Sequence, residues 1–494
     1  MIPEILQMIG TSLSTPSLLA LSALGTFFGI LLGALPGISS TMALAVLLPI
    51  SFAMDANHAM MFLMGIFSGS VYGGSISAIL INIPGTPGAI VTQMDGYPMG
   101  RNGRAGEALT YALLPSTIGG VIGWLLLVIL APLVAAAALQ FRSPEYAAVT
   151  FFGLTMLAYA SPGSTFKGLI GGVIGLLLAT VGLDMVTDVS RFDFGVPGLQ
   201  AGISIIPVAV GIFGLAEILR NIETGAPKFE AIRAISRLFP PWREAVRLWP
   251  ICLRGSAIGA FVGAIPAAGS AIAVTVAYAQ EKRMSKTPER FGTGIPEGVV
   301  APESANNACV GGALIPMMTL GIPGDSMTAV LIGALLIHGL RPGPALFSDH
   351  ADFVAVVYVS LLLAIVFTVV IALVGIRYIA RILQAPKNVL MVGIAILCVV
   401  GSYAVQNSIF DVIVMIAAGF VGYVMSRVGM PVAPVVFGLI LGPILEENVR
   451  RTLIVSGDWM VFLTRPISLA LILISVAALI YPALRERFVR APAA

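Results

Sequence analysis

The sequence has 494 residues, of which 58% are hydrophobic and only 10% charged, with a mean hydropathy of +0.99. A soluble globular domain carries roughly 25% charged residues, so this composition excludes one. A membrane β-barrel is excluded as well, because the apolar stretches are continuous rather than alternating over about ten residues. The expectation is an all-α polytopic membrane protein. Apolar runs of roughly the 17–25 residues that cross a bilayer lie at 17–35, 59–82, 165–183, 353–376, 409–425 and 460–482.

The net charge of +3 is small, but the charges are unevenly placed. No Lys or Arg precedes Arg101. A secretory signal needs a basic first segment, so the start reads as retained. The first basic-rich loop is 220–254, with Arg220, Lys228, Arg233, Arg237, Arg243, Arg247 and Arg254. Basic loops stay in the cytoplasm, which places this loop inside, together with the tail bearing Arg485, Arg487 and Arg490. The N-terminus, with Glu4 and no base, is then outside. No nucleic-acid partner is expected; the surroundings are the lipid bilayer.

In chain order, the first run carries a stripe of Gly25, Gly29, Gly33 and Gly37, a spacing that lets helix backbones approach closely. It ends in ALPGISS (34–40), where Pro36 and Gly37 break the helix before Ser39, Ser40 and Thr41. The second run carries Gly65, Gly69 and Gly73 and ends in NIPGTPG (82–88), which contains Asn82, Pro84, Gly85 and Thr86; Thr92 and Gln93 follow. FPPWREAVRLWP (239–250) reads as an interfacial amphipathic helix. A third break, AIPAAGS (264–270), holds Pro266 and Ser270. PESANNACVGG (302–312) places Glu303, Asn306 and Asn307 within about one turn, with Glu303 and Asn307 on one face. A fourth break, GIPGDS (321–326), follows Thr319 and contains Pro323, Gly324, Asp325 and Ser326.

These segments repeat. GTFFGILLGALPG (25–37) matches GSAIGAFVGAIPA (255–267) at an offset of 230, and GSVYGGSISAILINIPGT (69–86) matches ACVGGALIPMMTLGIPGD (308–325) at 239. SPEYAAVTFFGLTMLAYA (143–160) resembles APKNVLMVGIAILCVVGS (385–402) at 242. The order is kept and the offset drifts slowly, which argues for two homologous halves. The organisation expected is a first transmembrane repeat over 1–235, a cytoplasmic connector over 236–254, and a second repeat over 255–494 with one extra C-terminal helix. An outside N-terminus and an inside connector give the first half an odd number of crossings. The second half then inserts upside down, as inverted repeats with broken helices or re-entrant hairpins.

Non-helical backbone at membrane depth survives only where it is buried in protein or lines a wet cavity. Half-helix N-termini after the breaks suit an anionic ligand, whereas freed carbonyls and hydroxyls suit Na⁺, with Thr86 and Asp325 at matching positions. The plain alternatives are Pro kinks without a ligand, Glu303 as an interfacial first-turn residue after Pro302, and Asp325 as a helix cap. Cys252, Cys309 and Cys398 lack metal spacing and read as packing residues; His58, His338 and His350 read as core or interfacial. STFK (164–167) lacks the companion motifs of S-x-x-K enzymes, and neither H-E-x-x-H nor a P-loop occurs. An intramembrane enzyme and a channel-like scaffold are the competing classes.

The blocks GALPGISSTMALAVLLPISFAM, GGSISAILINIPGTPGAIVTQMDGYPM and PEGVVAPESANNACVGGALIPMMTLGIPGDSMTAVLIGALLIHGLRPGP resemble the large membrane subunit of the tripartite tricarboxylate transporters, the TctA family. The resemblance extends over about 17–480. It implies a bacterial inner-membrane permease, not an enzyme, driven by a Na⁺ or H⁺ gradient and without a cofactor. It also implies two partners, a small TctB-type membrane subunit and a periplasmic TctC-type solute-binding protein, with a di- or tricarboxylate as substrate. Transferred by motif, the substrate and ion site comprises 36–41 with 82–88, and 266–270 with 303–326. An elevator-like movement is the expected form of alternating access.

Overall fold

The computed structural model describes residues 2–160, 164–184, 187–224, 232, 237–382 and 387–489. Lys228, Arg233, Ser236 and Arg490 of the basic segments lie outside the described residues. The chain runs through α1 (Ile2–Ser14), α2 (Pro16–Ala34), α3 (Ser40–Leu47), α4 (Ala56–Ile81), α5 (Thr92–Met99), α6 (Ala105–Ala138), α7 (Ser143–Ala160) and α8 (Thr165–Ala179). A small antiparallel hairpin, β1 (Gly182–Leu183) with β2 (Ser190–Arg191), qualifies the all-α expectation. Next come α9 (Pro197–Gln200) and α10 (Ile205–Ala209), the latter continuing through 210–215 into α11 (Ala216–Thr224). They are followed by α12 (Trp242–Arg247), α13 (Trp249–Gly263), α14 (Gly269–Met284), α15 (Glu297–Leu320) and α16 (Ser326–Ile337). The series ends with α17 (Pro344–Asp349), α18 (Ala351–Ile382), α19 (Lys387–Gln406), α20 (Ile409–Arg427), α21 (Ala433–Ser456), α22 (Val461–Thr464) and α23 (Pro466–Val489).

Six helices among the described residues are long and apolar enough to cross a membrane: Pro16–Ala34, Ala56–Ile81, Thr92–Ala138, Ile205–Thr224, Ala351–Gly375 and Ile409–Arg427. The third is not straight, because Asn102 and Gly103 leave helical geometry, Gly103 with φ +80°. Two expected runs end early. The run at 165–183 stops as a helix at Ala179, and the run at 460–482 is cut at Arg465, whose extended backbone precedes Pro466. Within 239–250 a short helix does form, with Trp242 and Val246 exposed.

The chain divides into two compact units, Met1–Ala135 with Glu217–Asn407 and Ala136–Ala216 with Ser408–Ala494. In the first unit α4 is buried from Ala59 to Ile81 and α15 from Gly298 to Thr319. Glycine makes both packings possible. A Cβ on Gly25, Gly29 or Gly33 would lie 2.1, 2.6 or 2.4 Å from a carbonyl of Phe62, Ile66 or Ser70 on α4. From the other side, one on Gly69 or Gly73 would lie 2.5 or 2.4 Å from Thr26 O or Ile30 O. The same arrangement joins α13 to α15, where Gly255, Gly259 and Gly263 face the carbonyls of Ala301, Ala305 and Cys309 at 2.6, 2.1 and 2.6 Å. Gly37 is not part of the stripe; it lies beyond the helix end, at φ +85°.

In the second unit α8 meets α21 in the same way, Gly175 against Val435 O and Gly438 against Gly172 O. The hairpin is tied to α21 by charge. Buried Asp184 lies 3.2 Å from Arg191 and 2.7 Å from Arg450, and Arg191 lies 2.7 Å from Glu446.

Gly29→Ala should destabilise the protein by about 1–3 kcal/mol, because backbone on α4 would have to move. Gly172→Ala, with nothing within 4 Å of its added Cβ, should be neutral or up to about 1 kcal/mol stabilising through helix propensity. Thermal unfolding of both variants in detergent measures the contrast.

Candidate functional site

All four breaks lie in the first unit, and paired breaks share backbone geometry. At the first, buried Pro36 precedes left-handed Gly37, and Ser39 starts α3 by accepting the Met42 amide on its hydroxyl at 3.1 Å. At the third, Pro266 precedes Ala267, which takes φ +64° although it is not glycine. A left-handed alanine costs about 1–2 kcal/mol, and such strain is found where surrounding structure imposes it. At the second break Asn82 ends α4 with φ +57°; at the fourth Gly321 ends α15 with φ +70°.

The carbonyls loosened at the second and fourth breaks are taken up by other backbone. Ile232 N donates to Leu80 O at 3.0 Å, Gly343 N to Met318 O at 2.9 Å, and Ile322 N to Pro316 O at 3.3 Å. Each of these three oxygens thus has a backbone partner. Pro84 opens a loop in which Gly85 packs so closely that an added Cβ would meet Gly33 O at 2.0 Å. Pro323 and Gly324 form the matching loop, with Gly324 against the Ala313 backbone at 2.6 Å.

Thr86 and Asp325 follow these loops, and they behave differently. Asp325 caps α16 in a reciprocal capping box: its carboxylate accepts from Thr328 N at 2.8 Å, and Thr328 Oγ1 accepts from Asp325 N at 2.8 Å. Ser326 is the first residue of that helix. Thr86 caps nothing; its side chain is buried against Gly74 and its hydroxyl has no partner among the described residues.

Several predicted residues meet. A Cβ on Gly88 would lie 2.1 Å from Asn306 Oδ1 and 2.9 Å from Ser270 Oγ, so the second break, the third break and α15 converge there. Gly269 is 3.8 Å from the Asp325 Cβ by the same measure. Both amide atoms of Asn306, the Asn307 Nδ2 and the hydroxyls of Ser40 and Thr86 are buried without partners among the described residues. Buried polar groups are nearly always bonded, and leaving one unpaired costs about 1–3 kcal/mol. Two expected residues do not join this group. The Asn82 side chain is exposed, and the Thr319 hydroxyl donates within its own helix to Ile315 O at 2.7 Å.

Glu303 is not an interfacial first-turn residue. Its helix starts six positions earlier, at Glu297, and the side chain is 0% exposed. Ser75 donates to Oε1 at 2.6 Å, Thr92 donates to the same oxygen, and Ser116 donates to Oε2 at 2.8 Å. A second buried carboxylate, Asp95, accepts from the amides of Gly292, Gly294 and Ile295 at 2.9–3.1 Å and from the Tyr278 hydroxyl at 2.9 Å. Asp95, Ser75, Ser116 and Tyr278 are not among the residues expected from the sequence. Asp95 carried a usable signal, since it is the only acid between Asp55 and Glu107 in a chain of apolar runs.

The family model for "Tripartite tricarboxylate transporter TctA family" matches residues 19–437. The chain belongs to the TctA family. It is therefore a tricarboxylate transporter membrane component and not an enzyme, and its apolar helices make it a multi-pass membrane protein. One relative, the "Uncharacterized 52.8 kDa protein in TAR-I ttuC' 3'region" of Agrobacterium vitis, is 38% identical over 477 residues, 96% of this chain and 95% of its own. An "Uncharacterized protein in TAR-II ttuC' 3'region" of the same organism is 37% identical over 233 residues, 46% of this chain and 96% of its own. No solved structure matches.

Within this TctA chain Asn82 serves its backbone. Asn82→Gly should retain stability, whereas Asn82→Val should lose about 1–2 kcal/mol by forcing a branched residue to positive φ. Asp95→Ala should lose about 3 kcal/mol or more, since several buried donors lose their acceptor at once. Melting curves of the three variants test both statements.

Proposed function

We propose that this chain is the permease subunit of a binding-protein-dependent secondary transporter that takes up tricarboxylates or related carboxylates. It works in a bacterial inner membrane with a small TctB-type subunit and a periplasmic TctC-type protein that delivers the solute. Its two halves are inverted repeats, with the N-terminus outside and the connector and C-terminus inside. A cation gradient, H⁺ or Na⁺, drives alternating access, and the broken-helix elements move against a scaffold. A coupling Na⁺ would use oxygens near Thr86 and Asp325; the unpartnered Thr86 hydroxyl suits it, whereas one Asp325 oxygen is held by the cap.

The observation that supports this reading most is the group of buried, unpartnered polar atoms on Asn306, Asn307, Thr86 and Ser40 beside the breaks. Amide and hydroxyl donors are what a carboxylate requires, and α14 starts after the third break with no side-chain cap on its first amides. Sites of this kind are built from discontinuous helices at the midplane of secondary transporters.

Asn306→Ala and Asn307→Ala should each lower citrate uptake by the complete transporter in vesicles by about tenfold or more, the loss of one hydrogen bond to a charged group. Their melting temperatures should stay near that of the parent. Full uptake by both variants would sink the site assignment. Citrate accumulation against a gradient, abolished by an ionophore, separates a transporter from a channel-like scaffold.

A further inference from the structure

We infer that Glu303, held by the hydroxyls of Ser75, Thr92 and Ser116, is the group that carries the coupling proton. This rests on the reading of the chain as a cation-driven transporter and assigns the cation and its residue.

The polar partners of Glu303 are neutral hydroxyls at hydrogen-bond distance, an environment in which the carboxyl can hold a proton. Oxygen–oxygen separations of 2.6 Å (Ser75) and 2.8 Å (Ser116) are hydrogen-bond lengths. No cationic side chain forms an ion pair with Glu303 among the described residues. Tyr72 of α4, buried with an unpartnered hydroxyl, lies within electrostatic reach of Glu303. Removal from water disfavours a carboxylate's charged form, and donated hydrogen bonds favour it. Here both influences are strong and opposed. A proton from the side of higher proton activity adds to one carboxylate oxygen, giving the neutral acid, and leaves as H⁺ on the other side. No other bond is made or broken.

The position links that proton to the solute site. Asn306 and Asn307 lie three and four residues along α15, on the same stretch of helix face, where side chains are about 5–6 Å apart. Thr92 follows the loop that contains Thr86 and Gly88, and Gly88 touches Asn306. The ionised carboxylate accepts from all three hydroxyls. The neutral acid has a donor of its own, so the hydroxyl at the protonated oxygen must accept where it had donated. Protonation thus alters the hold of α15 on α4, on the segment after the second break, and on α6.

Two measurements test this on the full-length protein. Infrared difference spectra of the reconstituted chain between about pH 5 and pH 8 should show a protonated-carboxyl band that titrates, is absent in Glu303→Gln and ignores added Na⁺. No difference between parent and variant, or a band that responds to Na⁺ at fixed pH, overturns the assignment. In vesicles holding the complete transporter, an inward pH step of about one unit should give about tenfold citrate accumulation per proton carried. Glu303→Gln, with an unchanged melting temperature, should lose that tenfold response. A variant that still accumulates citrate with the pH step overturns the assignment. A titrating band in a parent that takes up no citrate keeps the proton site and overturns the solute class instead.

Discussion

Two buried carboxylates, exchanged between the halves of the sequence, hold the first unit together. Glu303 belongs to the second half and takes its three hydroxyl donors from the first. Asp95 belongs to the first half and takes its donors from Tyr278 and the 292–295 backbone in the second. An isolated charge in an apolar interior costs far more than any single hydrogen bond returns, so each carboxylate, while ionised, needs its donors in place. The five segments that supply donors must arrive together. This fixes where α15 lies against α4, α5 and α6, and where the loop before it begins.

Such an arrangement requires helices closer than ordinary side chains allow. The glycine stripes of α2 on α4 and α13 on α15 supply that closeness, with carbonyls standing where Cβ atoms would be. Packing of this kind needs no hydrophobic driving force, and lipid offers none between helices. It also explains why broken helices are tolerated here. The chain beyond the second and fourth breaks is pressed against another helix, and the exposed backbone finds partners such as Gly74 O for Gly85 N and Met318 O for Gly343 N. These carbonyls at the second and fourth breaks therefore have backbone partners, whereas the buried amides of Asn306 and Asn307 and the hydroxyl of Thr86 have none among the described residues.

The breaks were legible in the sequence because proline and glycine act on their own backbone. Pro36, Pro84, Pro266 and Pro323 all mark real interruptions, and the glycine stripes mark real close approaches. The carboxylate cages were not legible in the same way. The partners of Glu303 are 187–228 positions away and are ordinary serines and a threonine, residues that only the fold distinguishes from their many neighbours. Asp95 is held largely by backbone amides, which have no signature in the sequence at all. Asn82 shows the opposite error. Its amide suggested chemistry, but asparagine is also the non-glycine residue that best accepts a left-handed backbone, and Gly321 stands at the matching place with no side chain to offer.

That last pair points to a general feature of this chain. Between matched breaks the backbone state is kept while the side chain changes: Gly37 and Ala267 share a positive φ, as do Asn82 and Gly321. Thr86 and Asp325 share an extended backbone at the start of a helical turn, yet one buries an unpartnered hydroxyl and the other closes a capping box. The unpaired amides of Asn306 and Asn307 have Phe67 and Ser68 at the corresponding positions of the first half. The first half thus supplies the hydroxyls that hold Glu303, and the second supplies the carboxylate and the amides beside it. Matched backbones give the two halves a common way to break a helix in the membrane. Unmatched side chains make the Glu303 cage an arrangement of first-half hydroxyls on a second-half carboxylate, which neither half could form by pairing with a copy of itself.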